Sequence, residues 1–260
     1  MSKSLVKAIN MLDCFTKKTE MTINELTEAA NMPKTTVFRL ASSLEEAGLL
    51  VKERKSSHEV KYRLGLKLLT LGKHVSEQLK YNKVALPHMK KLNEEIDELV
   101  HITVLEGDKA VYAETIDSSK PVRLVVKVGK RAPLYAGSAP KLLLSSMKDE
   151  DLEAYLDEVE LTKITENTLD SMEKLREEIQ KIREKGYAVS HSEHFKDTVG
   201  FSYPIYNHEG EIVAALGVSI PVIDYSEERE RLILGKLEGT VKTIWSELGY
   251  LRGRACSNND

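Results

Sequence analysis

The densest chemistry in the first quarter of the chain is the run Lys34-Thr35-Thr36-Val37-Phe38-Arg39. It offers a cation, two hydroxyls and a guanidinium, the groups that hydrogen-bond phosphates and base edges. A second set lies beyond residue 130. Ser138 and Ala139 precede a helical stretch, and a helix start presents free N–H groups to an anion. Gly200-Phe201-Ser202 and Gly217-Val218-Ser219 are small-residue strand segments that leave space, and Ser190-His191-Ser192-Glu193 adds hydroxyls and an imidazole. The same residues invite a catalytic reading, with Ser190 or Ser192 as nucleophile beside His191, His194 and Glu193. That reading lacks a Gly-x-Ser-x-Gly elbow, a His-Glu-x-x-His pair and a phosphate loop. His191 and His194 stand three apart with no further cluster to complete a metal site, and loop histidines are expected to be solvated. No enzyme, no cofactor and no metal are therefore expected.

The elements that must carry the first set are short helices. Leu5, Ile9, Leu12 and Phe15 mark an amphipathic helix over about residues 4–17. Thr22-Ile23-Asn24-Glu25 has the spacing of a capping box that opens a second. Pro33 suits the first turn of a third, which runs to about residue 47 with Val37, Leu40 and Leu44 inward and stops at Gly48. Two helices joined by a short turn form a helix-turn-helix. Two alternating segments follow, 49–54 and 60–64, around the polar tip Lys55-Ser56-Ser57-His58-Glu59: a wing, with Arg54, Lys55 and Ser56 as its DNA contacts.

Residues 66–79 read as a linker helix, and a further amphipathic helix starts at Pro87. Alternating stretches at 100–105, 110–115 and 122–128, then at 187–190, 201–206 and 212–220, read as strands. Helices start near Leu142, at Ser171 and at Glu227. The expected fold is α+β: an N-terminal winged helix-turn-helix (1–65), a linker helix (66–80), an effector domain with an antiparallel sheet flanked by helices (81–250) and a disordered tail (251–260).

With 41% hydrophobic and 30% charged residues among 260, the composition is that of a globular protein with room for two cores. Residues 1–66 hold 11 Lys and Arg against 8 Asp and Glu, hence +3, which leaves −6 for the remainder of a chain of net charge −3. A basic head on an acidic body suits a nucleic-acid reader. No apolar run long enough to span a bilayer and no secretory leader is seen, and the two cysteines, Cys14 and Cys256, fit a reducing compartment, so a cytoplasmic location with no membrane partner is expected.

Three stretches then resemble the IclR family of transcription regulators: Leu5…Ala8-Ile9…Leu12…Phe15, the run from Leu26 through Pro33-Lys-Thr-Thr-Val-Phe-Arg-Leu40, and Leu44-Glu-Glu-Ala-Gly-Leu-Leu50. The Tyr62-Arg-Leu-Gly65 close of the wing is similar too. So are Gly129 to Lys141, Ile182-Arg…Gly186-Tyr-Ala-Val-Ser190, and Pro204-Ile…Gly210…Val213-Ala-Ala-Leu-Gly-Val-Ser-Ile220, and the resemblance spans about residues 3–250. It implies a GAF-like effector domain and a homodimer or homotetramer on a palindromic double-stranded DNA operator. It also implies a small organic-acid effector held by Ser138, Ala139, Ser190, Gly200, Gly217 and Ser219. Two departures stand out. Pro140 replaces the family's usual glycine and removes one N–H from the anion cradle. Gly200 and Gly217 are expected to enlarge the pocket for a sugar acid or aromatic acid, although small residues in strands also serve close packing. The rival to a sensor-regulator is an architectural DNA binder with a degenerate second domain.

Overall fold

The computed structural model describes residues 3–54, 60–78 and 80–250, which form two compact units divided after Leu79. The wing tip with Lys55 and Ser56, and the tail 251–260, lie outside the described residues.

In the first unit α1 spans Lys3–Leu12 and continues as a 3-10 turn, Asp13–Thr16. Next come α2 (Ile23–Ala29) and α3 (Lys34–Glu46). The capping box forms as expected: the Thr22 hydroxyl accepts from the Glu25 N–H at 3.3 Å, and the Glu25 carboxylate accepts from the Thr22 N–H at 2.7 Å. Those bonds and the Lys18 ammonium hold the Glu25 carboxyl down to about 2, Lys18 contributing most. Pro33 caps α3 from outside rather than entering its first turn. Strands β1 (Leu50–Arg54) and β2 (Val60–Leu64) pair antiparallel, and Met21 bridges to Tyr62 on the outer edge. Met11, Phe15, Leu26, Val37, Leu40, Leu44 and Tyr62 fill one small core. Helix α4 covers Leu66–Gln78.

The second unit is a six-stranded antiparallel sheet between two helical layers. It comprises α5 (Lys80–Ile96), β3 (Leu99–Glu106), β4 (Lys109–Ile116), β5 (Arg131–Pro133), α6 (Ser138–Ser145), α7 (Asp149–Glu158), α8 (Met172–Lys185), β6 (Ala188–His191), β7 (Thr198–Tyr206), β8 (Ile212–Pro221) and α9 (Glu227–Glu247). Strand order is β5-β4-β3-β8-β7-β6. Three expectations are corrected. The helix expected to start near Leu142 starts at Ser138, so Ser138 and Ala139 stand in its first turn rather than before it. Residues 122–128 are not a strand: Leu124 and Val126 pack inward, but β4 pairs instead with Arg131–Pro133. Helix α5 starts at Lys80, with Pro87 inside it rather than at its beginning.

The period of two along each strand sorts the residues between the two faces. On one face Val100, Ile102, Val199, Phe201, Ile205, Leu216, Val218 and Ile220 pack under α5 and α9. On the other, under α6 and α8, the central strands present small and polar residues instead: Ser190, Gly200, Ser202, Gly217, Ser219, His101 and Thr103. That polar centre is where the sheet and α6 leave a pocket.

Candidate DNA-binding and effector sites

On α3, Val37, Leu40, Ala41 and Leu44 are buried, which turns Lys34, Thr35 and Arg39 to solvent with Thr36 half-buried. Arg54 is exposed at the end of β1. The unexpected member is Phe38, 53% exposed beside Arg39. Its signal was in the sequence, since it falls outside the Val37/Leu40/Leu44 stripe on a 3.6-residue wheel. An exposed phenylalanine on such a helix suits a thymine methyl in the major groove.

The pocket in the second unit is narrow, with a cavity volume of about 20 Å³. Its floor is set by register. Ser190 pairs with Gly200 and Gly200 with Ser219, so β6, β7 and β8 present the three as one row. The adjacent row runs Ala188, Ser202, Gly217 and His101. Across from these rows stands the start of α6. Gly137, at φ 104°, bends the chain into the helix, and Ser138 and Ala139 occupy its first turn, where backbone N–H groups have no partner within the helix. The Ser138 hydroxyl meets that of Ser202 at 2.9 Å. Pro140 in this turn carries no N–H. Ser138, Ser190, Gly200 and Ser219 all line the pocket, together with His101, Tyr112, Glu193 and His194. Ala139 is buried behind them, outside the lining.

The space expected at the two glycines is already filled. A Cβ on Gly217 would meet the His101 ring, 2.6 Å from Nε2 and closer still to Cε1, and would lie 2.9 Å from Ser202 Oγ. One on Gly200 would lie 2.8 Å from Ser138 Oγ. Gly217 is thus the seat of an imidazole and does not line the cavity. His101 is fully buried, with Nδ1 3.1 Å from Thr103 Oγ1, Nε2 3.3 Å from Ser219 Oγ and the ring edge-on to Tyr112. Burial lowers its pKa to about 4, so it is neutral near pH 7.

His194, expected to be solvated, is instead half-buried with both ring nitrogens shut from solvent and unpartnered. Burial, with help from Lys130, lowers its pKa to about 4. Glu193 closes the helix end of the pocket: one carboxylate oxygen accepts from the Gly137 N–H at 3.1 Å and the other from Lys141 Nζ at 2.6 Å. Lys141, itself 1% exposed, also reaches Glu178 at 2.9 Å and the Val189 carbonyl. Thr165 and Thr168 pin the Glu193 carbonyl from outside. Ser190, Glu193 and His194 share the pocket wall, but neither His194 ring nitrogen has a hydrogen-bond partner, so no serine–histidine pair forms there. Ser190 and His191 are consecutive on β6 and so face opposite sides, and exposed His191 meets Tyr225 edge-on. Among the described residues, no group of three His, Cys, Asp or Glu is placed to hold a metal ion.

A winged head with a cationic helix start, and a separate unit with an anion-suited pocket, define a DNA-binding regulator that senses a small molecule. Comparison with known proteins agrees. Residues 4–54 match the IclR helix-turn-helix domain, and residues 73–245 match the bacterial transcriptional regulator IclR C-terminal domain. The chain belongs to the IclR family of bacterial transcription regulators. It is 35% identical to the HTH-type transcriptional regulator KipR of Bacillus subtilis over 249 residues, 96% of this chain and 98% of that one. The crystal structure of the Thermotoga maritima IclR aligns with a TM-score of 0.79 at 27% identity, over 96% of this chain and all of that one. An IclR homologue of Microbacterium hydrocarbonoxydans, solved with 4-hydroxybenzoate, has the same fold, with a TM-score of 0.79 at 24% identity over 95% of this chain and 99% of that one. Among the described residues no helix is long and apolar enough to cross a membrane.

Proposed function

We propose that the chain is a cytoplasmic regulator in which the α3 start reads an operator and the pocket beneath α6 takes a small carboxylate that changes DNA affinity. Lys34, Thr35, Thr36 and Arg39, with Arg54, Lys55 and Ser56 of the wing, are the DNA-binding set. Ser138, Ala139, Ser190, Gly200 and Ser219 are the effector set, with Gly217 acting only through His101. The domains are 1–65 for the head, 66–80 for the linker helix and 81–250 for the effector domain. It works without catalysis.

The observation that carries the reading is the row Ser190–Gly200–Ser219 facing the first turn of α6. Hydroxyls and free helix N–H groups converge there, and a helix N-terminus favours negative charge. The cavity volume is about 20 Å³, room for about one water, so the lining must open to admit an acid, and a short one demands the least opening. The Microbacterium homologue with 4-hydroxybenzoate supports that class. A palindromic operator and a homodimer or homotetramer follow from the small footprint of one head. Leu5, Val6 and Ile9 on α1, all exposed, offer an apolar partner surface, whereas Leu12 packs into the head's own core.

The experiment is a thermal-shift screen of the full chain with two- to eight-carbon acids, followed by fluorescence anisotropy on operator DNA with and without the acid that binds. A ligand at a hundred times its Kd adds about 2.7 kcal/mol to stability. Ser219→Ala should lower the affinity of that acid about tenfold, the worth of one charge-assisted hydrogen bond. If no acid raises Tm, or if the Ser219 change leaves affinity intact, the pocket is elsewhere.

A further inference from the structure

We infer that His194 is an effector-contacting residue, and that the effector enters as a carboxylate anion with uptake of one proton onto that imidazole. This rests on reading the pocket as the effector site and names how that site tells a carboxylate from a neutral ligand of the same size.

The two histidines that line the pocket differ in how their nitrogens are engaged. The His101 nitrogens are both engaged, by Thr103 and Ser219. Those of His194 are both buried and have no partner. A neutral imidazole carries one donor and one acceptor, so His194 brings two unmet groups to the cavity wall. Such groups in a native protein call for a partner from outside the fold, and in a pocket shared with Ser138, Ser190 and Ser219 a ligand carboxylate can supply it. The ring is already oriented: its edge meets Phe195, with centroids 4.5 Å apart at 74°, and its Cβ side lies over Gly137 at the α6 start.

The charges around it decide the protonation state. Glu193, the neighbour in sequence, is committed to Lys141 and the Gly137 N–H, and Lys141 is shared with Glu178 of α8. From the turn before β5, Lys130 lies 4.5 Å over the Phe195 ring. Lys196 is exposed two residues on, and the facing strands contribute His101 and Tyr112. Among the described residues no free anion is therefore directed at the His194 ring, while Lys130 opposes its protonation. Burial and Lys130 together keep the ring neutral in the empty pocket. An incoming carboxylate reverses both effects, because it supplies an acceptor for an N–H and a negative charge beside it. The balance is one protein, one carboxylate anion and one proton from solvent giving a complex with imidazolium against carboxylate. Between the pKa of the free ring and that of the bound ring, affinity rises up to about tenfold for each unit that pH falls.

The test is isothermal calorimetry on the full chain with pyruvate and 4-hydroxybenzoate as probes. Each is run at pH 6 and pH 8, in two buffers of different ionisation heat. The expected result is binding about tenfold tighter at pH 6, with close to one proton taken up there. His194→Gln should abolish the uptake, and His191→Gln, at an exposed position, should keep it. In NMR the His194 ring signal of the free protein should hold its neutral position down to about pH 5 and move to the charged position when probe is added at pH 6. Binding with no proton uptake and no pH dependence overturns the inference while leaving the pocket reading intact. So does a free-protein His194 that titrates at the ordinary value of about 6.5. Binding of neither probe removes the pocket reading and the inference with it.

Discussion

Gly217→Ala adds one carbon where the structure has no room for it. The new Cβ would sit 2.6 Å from His101 Nε2 and 2.9 Å from Ser202 Oγ, with Cε1 of the ring nearer still. His101 is boxed in by Thr103, Ser219 and Tyr112, so the ring cannot swing clear without leaving its hydrogen bonds. Overpacking of a tight core costs about 1–3 kcal/mol, and the lost bond to Ser219 about 1 kcal/mol more. The sum is about 2–4 kcal/mol, or a fall in Tm of about 5–15 °C for a unit of this size. Trp245 reports the transition: it is the sole tryptophan, it is buried on α9, and its indole N–H donates to the Pro204 carbonyl at 2.8 Å. Urea unfolding followed by its fluorescence gives the energy directly. Adding His101→Ala to Gly217→Ala should cost at least about 1 kcal/mol less than the two single changes summed, because the clash needs both partners. A Gly217→Ala protein as stable as the parent would refute the placement of His101. The same geometry means that Gly217→Leu disrupts the sheet instead of plugging an open pocket.

Three further outcomes follow from the described contacts. His101 has a pKa of about 4 in the fold, because burial penalises its charge, against about 6.5 unfolded. Its contribution is therefore fully present above about pH 6.5 and is lost as pH falls toward 4, by up to about 3 kcal/mol. Urea titrations at pH 7 and pH 5 should show the loss, and His101→Gln should reduce it. Lys141→Met leaves Glu193 and Glu178 without their buried cation and should cost about 3–5 kcal/mol in the same assay; an unchanged midpoint would show that the pair is dispensable. Phe38→Ala should leave Tm within about 1 °C, since the ring is largely exposed, yet weaken operator binding several-fold in a gel shift while sparing nonspecific binding. Equal loss on both DNAs would mean that Phe38 supports the head rather than reads a base.

Local signals carried much of the fold. Thr22 and Glu25 announced the start of α2 because a capping box is made within four residues, and Leu175, Ile179 and Ile182 gave α8 by period alone. Residues 122–128 show the limit of periodicity. Their alternation is real, with Leu124 and Val126 inward, but a strand also needs a neighbour, and the edge of β4 is taken by Arg131–Pro133. Pro87 misled for a related reason: a proline that suits a helix start also occurs inside a helix. In the pocket, Ser138, Ser190, Gly200 and Ser219 could be named from sequence, but their alignment depends on a register across three strands. His101 carried no local mark, because its partner Ser219 lies 118 positions away, and His194 was visible only as a loop histidine whose burial no local signal gave. A glycine in a strand signals close approach without saying whether a ligand or a side chain does the approaching, and at Gly217 it is His101.

That the start of α3 reads DNA is tested by fluorescence anisotropy of the full chain on a duplex that the parent protein selects from a random pool. Parent and Lys34→Ala/Arg39→Ala proteins would be compared across a salt series. The parent should bind tightly, and the double variant should lose at least about tenfold and show a shallower salt dependence from the missing phosphate contact. Undiminished binding by the double variant, with an unchanged salt slope, would contradict it.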